Sequence, residues 1–235
     1  MKIALLTTET THHAYYASQL STRFALQGMV VESHPPQPAF DTSHPFEVAR
    51  DAYERETLLG GRQVRLQDVA PTLEVESVNQ DAAVAQLVRW RPDVLLVFGA
   101  GKVRPAVMHA AAWCLNLHGG NPERYRGLDS HLWAIYHEDF DQLMTTLHVV
   151  DEGLDTGDIV GQTRLQLPKG CRLHQLRAIN TQACLDLSLA ALAQLQSDGA
   201  VPRRRQQQRG AYYSFMPSAE KEACVRKFAD YTDRL

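Results

Sequence analysis

Residues 113–159 read WCLNLHGGNPERYRGLDSHLWAIYHEDFDQLMTTLHVVDEGLDTGDI. The apolar run at 113–117 predicts a strand, and it is interrupted by two polar residues, Asn116 and His118. They lie two apart and therefore on the same side of the strand. A buried strand would not choose that pair for packing. Gly119, Gly120 and Pro122 then break the strand, so both residues sit where a strand gives way to a loop, a favoured place for sites in open α/β sheets. Further on, residues 151–157, DEGLDTG, form a second turn-rich loop that carries Asp155.

Asn, His and Asp together suit acyl chemistry. Transfer of an acyl group to an amine passes through a tetrahedral oxyanion, which needs donors aimed at it and a group that takes the amine's surplus proton. Asn116 donates from its amide, His118 donates or shuttles, and Asp155 holds the imidazole in one tautomer or relays a proton through water. Each alone has a bland reading, as a turn cap, a satisfied core histidine and a helix cap. As a set in a fixed loop context they read as a site.

The segments Asn116-Leu-His118-Gly, Pro122 through Tyr125-Arg-Gly127, Trp133-Ala-Ile135 and Gly153-Leu-Asp155-Thr-Gly-Asp-Ile159 resemble the catalytic core of the formyltransferase family. That family uses N10-formyltetrahydrofolate and includes glycinamide ribonucleotide, methionyl-tRNA, sugar and siderophore N-formyltransferases. Its Asn-x-His, followed about forty residues later by Leu-Asp-x-Gly, matches Asn116, His118 and Asp155 one for one. The resemblance covers residues 1–165, with motifs recurring in order. One departure is visible: many members have Pro after the motif His, where this chain has Gly119.

The resemblance implies an α/β fold, a Rossmann-like, doubly wound, mostly parallel sheet. Periodicity agrees. Residues 2–6 and 94–98 are unbroken apolar runs of the kind buried in parallel sheets, Val30 and Val31 mark a second strand, and 73–78 a third. Helices are expected from about residue 15 to 26, over 46–59 and around Val84, Leu87 and Val88, with a short one from 105 to 113. After residue 158 an edge strand runs to 167, and a long helix at 172–197 carries the stripe Leu176, Ile179, Ala183 and Leu187. The Pro-rich run at 34–38 opens an irregular connection, and the segment 35–62 is either an inserted helix over the acceptor side or the second crossover of the sheet. The chain divides into a catalytic domain, 1–200, and a C-terminal extension, 201–235, of linker, short strand and helix. Arg203, Arg204 and Arg205 begin a run read as a solvated linker.

Gly99-Ala-Gly101 after a strand invites a dinucleotide reading, but the third glycine of that fingerprint would fall on Arg104. By resemblance, Phe98, Gly99, Ala100, Gly101, Lys102 and Val103 instead wrap the folate of the formyl donor, with Asp151, Glu152, Gly153 and Leu154 as the opposite wall. The first loop, 7–13, has no glycines for a phosphate cradle. By resemblance it contacts the amine acceptor, which makes Thr8, Thr10, His12 and His13 candidates, with Arg124 and Arg126 placed to pair with a phosphate or carboxylate. His12 and His13 have no evident third ligand, so no metal is expected.

At 235 residues, 44% hydrophobic and 22% charged, the chain suits one full core with an appendage. Its net charge of −3 offers no general basic field. Cys114, Cys171, Cys184 and Cys224 show no C-x-x-C spacing and read as reduced and intracellular. The apolar N-terminus is too short for a signal peptide, and the expected location is cytoplasmic. About forty residues follow the long helix, less than the tRNA-holding domain of methionyl-tRNA formyltransferases would need.

The expected activity is therefore formyl transfer from N10-formyltetrahydrofolate to a primary amine on a small biosynthetic metabolite, a nucleotide-linked amino sugar first. An amino acid such as hydroxyornithine, a formyltetrahydrofolate hydrolase and a non-catalytic ligand-binding α/β domain are the alternatives. The expected partners are a small-molecule amine, with no nucleic acid and no membrane, and a homodimer is left open.

Overall fold

In the computed structural model, which describes residues 1–33 and 38–235, the chain runs β1 (Ile3–Thr7), α1 (Thr11–Ser21), β2 (Leu26–Glu32), α2 (Pro45–Leu59), β3 (Thr72–Val75), α3 (Asp81–Trp90), β4 (Val94–Phe98), α4 (Pro105–Met108), β5 (Trp113–His118), β6 (Tyr125–Gly127), α5 (Ser130–Tyr136), β7 (Met144–Val149), β8 (Ile159–Arg164), α6 (Leu176–Asp198), β9 (Ala211–Tyr213) and α7 (Ser218–Thr232). Seven strands form one sheet in the order β3-β2-β1-β4-β5-β7-β8. The first five are parallel, and β7 and β8 complete the sheet antiparallel.

The unbroken apolar runs become the middle of this sheet because both of its faces are covered. Ile3, Leu5, Met29, Val94 and Leu96 point into one core with α1 and α6, while Ala4, Leu6, Val30, Leu95 and Val97 point into a second core with α3. Each buried Leu or Ile here contributes about 1.5–3 kcal/mol. The same alternation places Cys114, Asn116 and His118 on one side of β5 and Leu115 and Leu117 on the other, so the two polar residues emerge where the second core ends. A third core, with Tyr125, Ile135, Leu173, Met216 and Phe228, ties α5 and α7 together, and β6 pairs with β9 in a small parallel sheet. Among the described residues no helix is long and apolar enough to cross a membrane, and all four cysteines are buried and free.

Four expectations need correction or refinement. α1 begins at Thr11 rather than near residue 15, because Thr10 caps it by accepting from the His13 amide at 3.3 Å; His12 and His13 are thus buried in its first turn, not displayed on a loop. β7 was not anticipated, since MTTLHV lacks a clear apolar alternation. Its pairing with β5, the Thr145 hydroxyl donating to Asn180 (2.6 Å) and the Thr146 hydroxyl donating to the Gly120 carbonyl (2.7 Å) satisfy its polar residues instead. On α6 the expected stripe does meet the core, with Leu176 buried and Ile179, Ala183 and Leu187 packed against it, but the more deeply buried face runs through Thr181, Cys184, Leu185, Ser188 and Leu192. Ser188 turns inward because Tyr16 shares a hydrogen bond with it at 2.7 Å. Finally, the basic run is solvent-exposed as expected but is also docked: Arg204 forms an antiparallel bridge with Ile159 and a two-pronged ion pair with Glu123 at 3.1 and 2.7 Å. The irregular run expected from residue 34 lies, through 37, outside the described residues. In the rest of the segment α2 packs on α1 and against the 3-10 turn Leu173–Gln175.

Candidate active site

The C-terminal ends of β2, β4 and β5 open onto a cavity of about 610 Å³. Residues 97–103, 116–119 and 127–132, His148 and most of the 150–155 loop line it, together with His12, His13, Phe46, Arg50, Leu176 and Arg177.

Three segments assemble the reactive cluster. β5 carries Asn116 and His118; β7, pairing antiparallel, sets His148 directly opposite Asn116; the loop after β7 returns Asp155. Asp155 adopts φ +53°, a left-handed backbone that an Asp tolerates better than most residues. Its Oδ2 accepts from the Gly127 amide at 2.8 Å and lies 3.5 Å from His118 Nδ1, while Oδ1 lies 3.4 Å from both His148 Nε2 and Asn116 Nδ2. Gly127, at φ +93°, must be glycine, because a Cβ there would overlap the Tyr213 carbonyl. A carbonyl oxygen only accepts, so the partners assign the protons. His118 Nε2 donates to Tyr125 O at 2.8 Å, leaving Nδ1 toward Asp155. His148 Nδ1 donates to Val149 O at 2.9 Å, so its Nε2 accepts from the Asn116 amide at 3.0 Å.

Burial would raise the Asp155 pKa, but the neighbouring His118 and His148 and the Gly127 amide outweigh it and hold the carboxyl well below the usual range. Asp155 is therefore an anion at neutral pH. A carboxylate held so low does not keep a proton, and an anion in that place can steady positive charge on an imidazole beside it.

The wall at 99–103 is shaped from beneath. Glu32, buried at the end of β2, accepts from the Val78 amide at 3.1 Å and the Gly101 amide at 2.8 Å, and the Asn79 side chain pins Lys102 O and the Arg104 amide. Gly99, at φ +80°, owes its smallness to His13, whose ring a Cβ would overlap. His13 in turn packs edge-on against Phe98, with centroids 4.6 Å apart. On the opposite wall Asp151 accepts from the Gly153 amide and the Thr156 hydroxyl, folding the loop into a turn.

Of the residues singled out from sequence, the structure gathers Asn116, His118, Asp155, residues 98–103, Asp151, Gly153, Leu154, His12 and His13 around one cavity. Glu152 is exposed outside it. Thr8 and Thr10 are spent on hydrogen bonds to His13 and His12. Arg124 is solvent-facing, 3.9 Å from Asp139, and Arg126 is buried, donating to Gly210 O (2.8 Å) and Leu154 O (3.0 Å); neither lines the cavity. Sequence reasoning missed His148, whose signal was its place opposite Asn116 once 144–149 is read as a strand. It also missed His131, whose Nε2 donates to Met144 O at 2.6 Å and which burial pushes down to about 4, against that hydrogen bond.

The chain as a whole is similar to several known proteins. The methionyl-tRNA formyltransferase of Desulfotalea psychrophila is 34% identical over 123 residues, 49% of this chain and 38% of that protein. The chain spans about half, or less, of the length of the first curated relatives it matches. In fold it is similar to a 4-N formyltransferase from Francisella tularensis (TM-score 0.60, 15% identity, 91% of this chain and 76% of that one). It is also similar to the formyltransferase PseJ from Anoxybacillus kamchatkensis, solved with UDP-4,6-dideoxy-4-formamido-L-AltNAc and tetrahydrofolate (TM-score 0.55, 18% identity, 99% and 94%). A family model described as formyl transferase matches residues 1–178, a span that holds every strand of the large sheet and the whole reactive cluster, and the chain belongs to the formyl transferase family.

Proposed function

We propose that the protein transfers a formyl group from N10-formyltetrahydrofolate to the primary amine of a small metabolite, an amino sugar carried on a nucleotide. The observation that carries this reading is the convergence of Asn116, His118 and Asp155 on one cavity whose 97–103 wall, with Leu117, Val150 and Leu154, offers a largely apolar bed for a flat heterocycle. The donor supplies a formyl carbon bound to nitrogen. As the acceptor nitrogen bonds to that carbon and the donor's carbon–nitrogen bond breaks, Asn116 donates to the oxygen on which negative charge develops. Its carboxamide is held for that task by His148. His118 Nδ1 collects the proton the amine gives up, for return to the departing nitrogen, and anionic Asp155 steadies the imidazolium.

Two observations support a sugar-linked acceptor: the likeness in fold to PseJ, and the polar groups among the lining residues, His12, His131 and Asn180 among them, which suit hydroxyl-bearing substrates. The identity to methionyl-tRNA formyltransferases supports a second acceptor, the amine of a charged tRNA. Incubation with donor and, separately, nucleotide-linked amino sugars, hydroxyornithine and methionyl-tRNA, read by a mass gain of one formyl group, distinguishes them. Donor consumption with no acceptor present would mark a hydrolase instead, and no turnover of donor in any arm would overturn the reading.

A further inference from the structure

The segment 201–210 lies beyond the stretch matched by the family model, yet it is bound to the reactive loop. Residues 202–209 are exposed except Gln206, which is half-buried. Its Nε2 donates to two main-chain carbonyls of the acid loop, Asp155 O and Gly157 O, both at 2.9 Å. The strap that presents Gln206 is itself fixed at both ends. Upstream, Arg204 bridges Ile159 and pairs with Glu123, which also accepts from the Gln207 amide at 2.6 Å. Downstream, Gly210 O accepts from Arg126 Nε, and Arg126 Nη1 holds Leu154 O at 3.0 Å. Three carbonyls of the loop, at 154, 155 and 157, are thus gripped by two side chains that the strap sets in place.

Asp155 needs such a grip. A non-glycine residue at φ +53° is strained and persists only where its surroundings over-determine it. A small relaxation of that backbone would turn the carboxylate away from His118 Nδ1, now 3.5 Å away, and from the Gly127 amide. We propose that Gln206 is a positioning residue, which holds the Asp155 main chain in its left-handed turn and so keeps the carboxylate aligned on His118. This rests on the part given to Asp155 under the proposed function.

The test compares Gln206→Ala and the near-isosteric Gln206→Glu, which keeps the shape but loses the N–H donors, in the full chain. Expected for both is a kcat lower by about ten- to a hundredfold, the scale of a small misplacement of a reacting group. Donor KM should stay within about twofold, and the thermal midpoint should move by no more than about 8 °C, as suits two hydrogen bonds of about 1 kcal/mol each lost from a chain of this size. Amide hydrogen exchange over 150–158 should quicken while that of β7 does not. A kcat within twofold of wild type in both variants, or a loss of activity matched by a general loss of folded protein, would overturn the proposal. If the wild type turns over no donor, it is the formyl-transfer reading that fails; exchange then decides the clamp alone, quickening in its favour and unchanged rates against it.

Discussion

Two pairs of histidines face the same cavity and are treated in opposite ways. His118 and His148 stand on adjacent strands with Asp155 between them, its two oxygens 3.5 and 3.4 Å from their ring nitrogens. His12 and His13 stand in the first turn of α1 with ring centroids 3.9 Å apart, and both are pushed down, chiefly by burial and with the charge of Arg177 adding to it, His13 to about 3. Glu54 lies 3.8 Å from His12, but its carboxylate is already taken by Arg177 at 2.6 Å through both oxygens. Where the acid faces the rings, its negative charge lies within 3.5 Å of a ring nitrogen of each. Where the nearby acid is spent on an arginine, imidazole is a neutral wall.

The sharpest way to break this contrast is to neutralise the acid. Asp155→Asn should leave a folded protein whose kcat is about a hundred- to a thousandfold lower; near-normal turnover would remove the distinction between the pairs. Next comes the space His13 fills. Gly99→Ala should cost about 2–3 kcal/mol in denaturant unfolding, from ring overlap and from a Cβ at φ +80°. Adding His13→Ala should recover the overlap part, leaving about 1 kcal/mol of backbone strain; a fully additive pair would show that the ring does not need the glycine.

A smaller effect is expected at His148. His148→Phe leaves the Asn116 amide with only its longer contact to Asp155 and should lower kcat by about ten- to thirtyfold, the equivalent of one buried hydrogen bond of about 1.5–2 kcal/mol. Unchanged kcat would make His148 a packing residue like the α1 pair. The smallest effect on turnover belongs to His13→Phe, about threefold at most if the ring is only wall. Its trace is in stability. Because folding lowers the His13 pKa, the unfolded chain takes up the proton first, so wild-type stability should fall as pH drops from about 6.5 toward 3, by up to about 1.4 kcal/mol per unit for this group. His13→Phe should flatten that slope in urea unfolding at pH 7, 5.5 and 4.5. Asp155 adds a separate loss at lower pH, which sets in as pH falls through the ordinary carboxylate range and ends where its depressed carboxyl protonates.

Much of this contrast was within reach of local pattern. Period-2 alternation puts Asn116 and His118 on one side of a strand whatever lies around it, and unbroken apolar runs at residues 3–6 and 94–98 require cover on both faces. The motif spacing that resembles formyltransferases supplied Asp155. His12 and His13 were noticed for being polar and adjacent, but the N-cap at Thr10 that draws them into a buried helical turn is a competition between neighbouring backbone hydrogen bonds, which residue type alone does not decide.

What composition and spacing could settle is what depends on near neighbours: strand against helix, one face against the other, the order of the motifs. What only the folded chain decides is set by contacts between distant segments. The register of β5 on β7 makes His148 the partner of Asn116, the amide of Gly127 and two imidazoles hold the Asp155 carboxyl low, Arg126 turns inward to brace a loop rather than outward to a substrate, and Gln206 reaches back fifty-one positions to the carbonyl of Asp155. Each of these rests on a distance of a few ångströms between residues far apart in sequence, and hydrogen bonding and charge fall away too steeply with distance for any one-dimensional pattern to carry them.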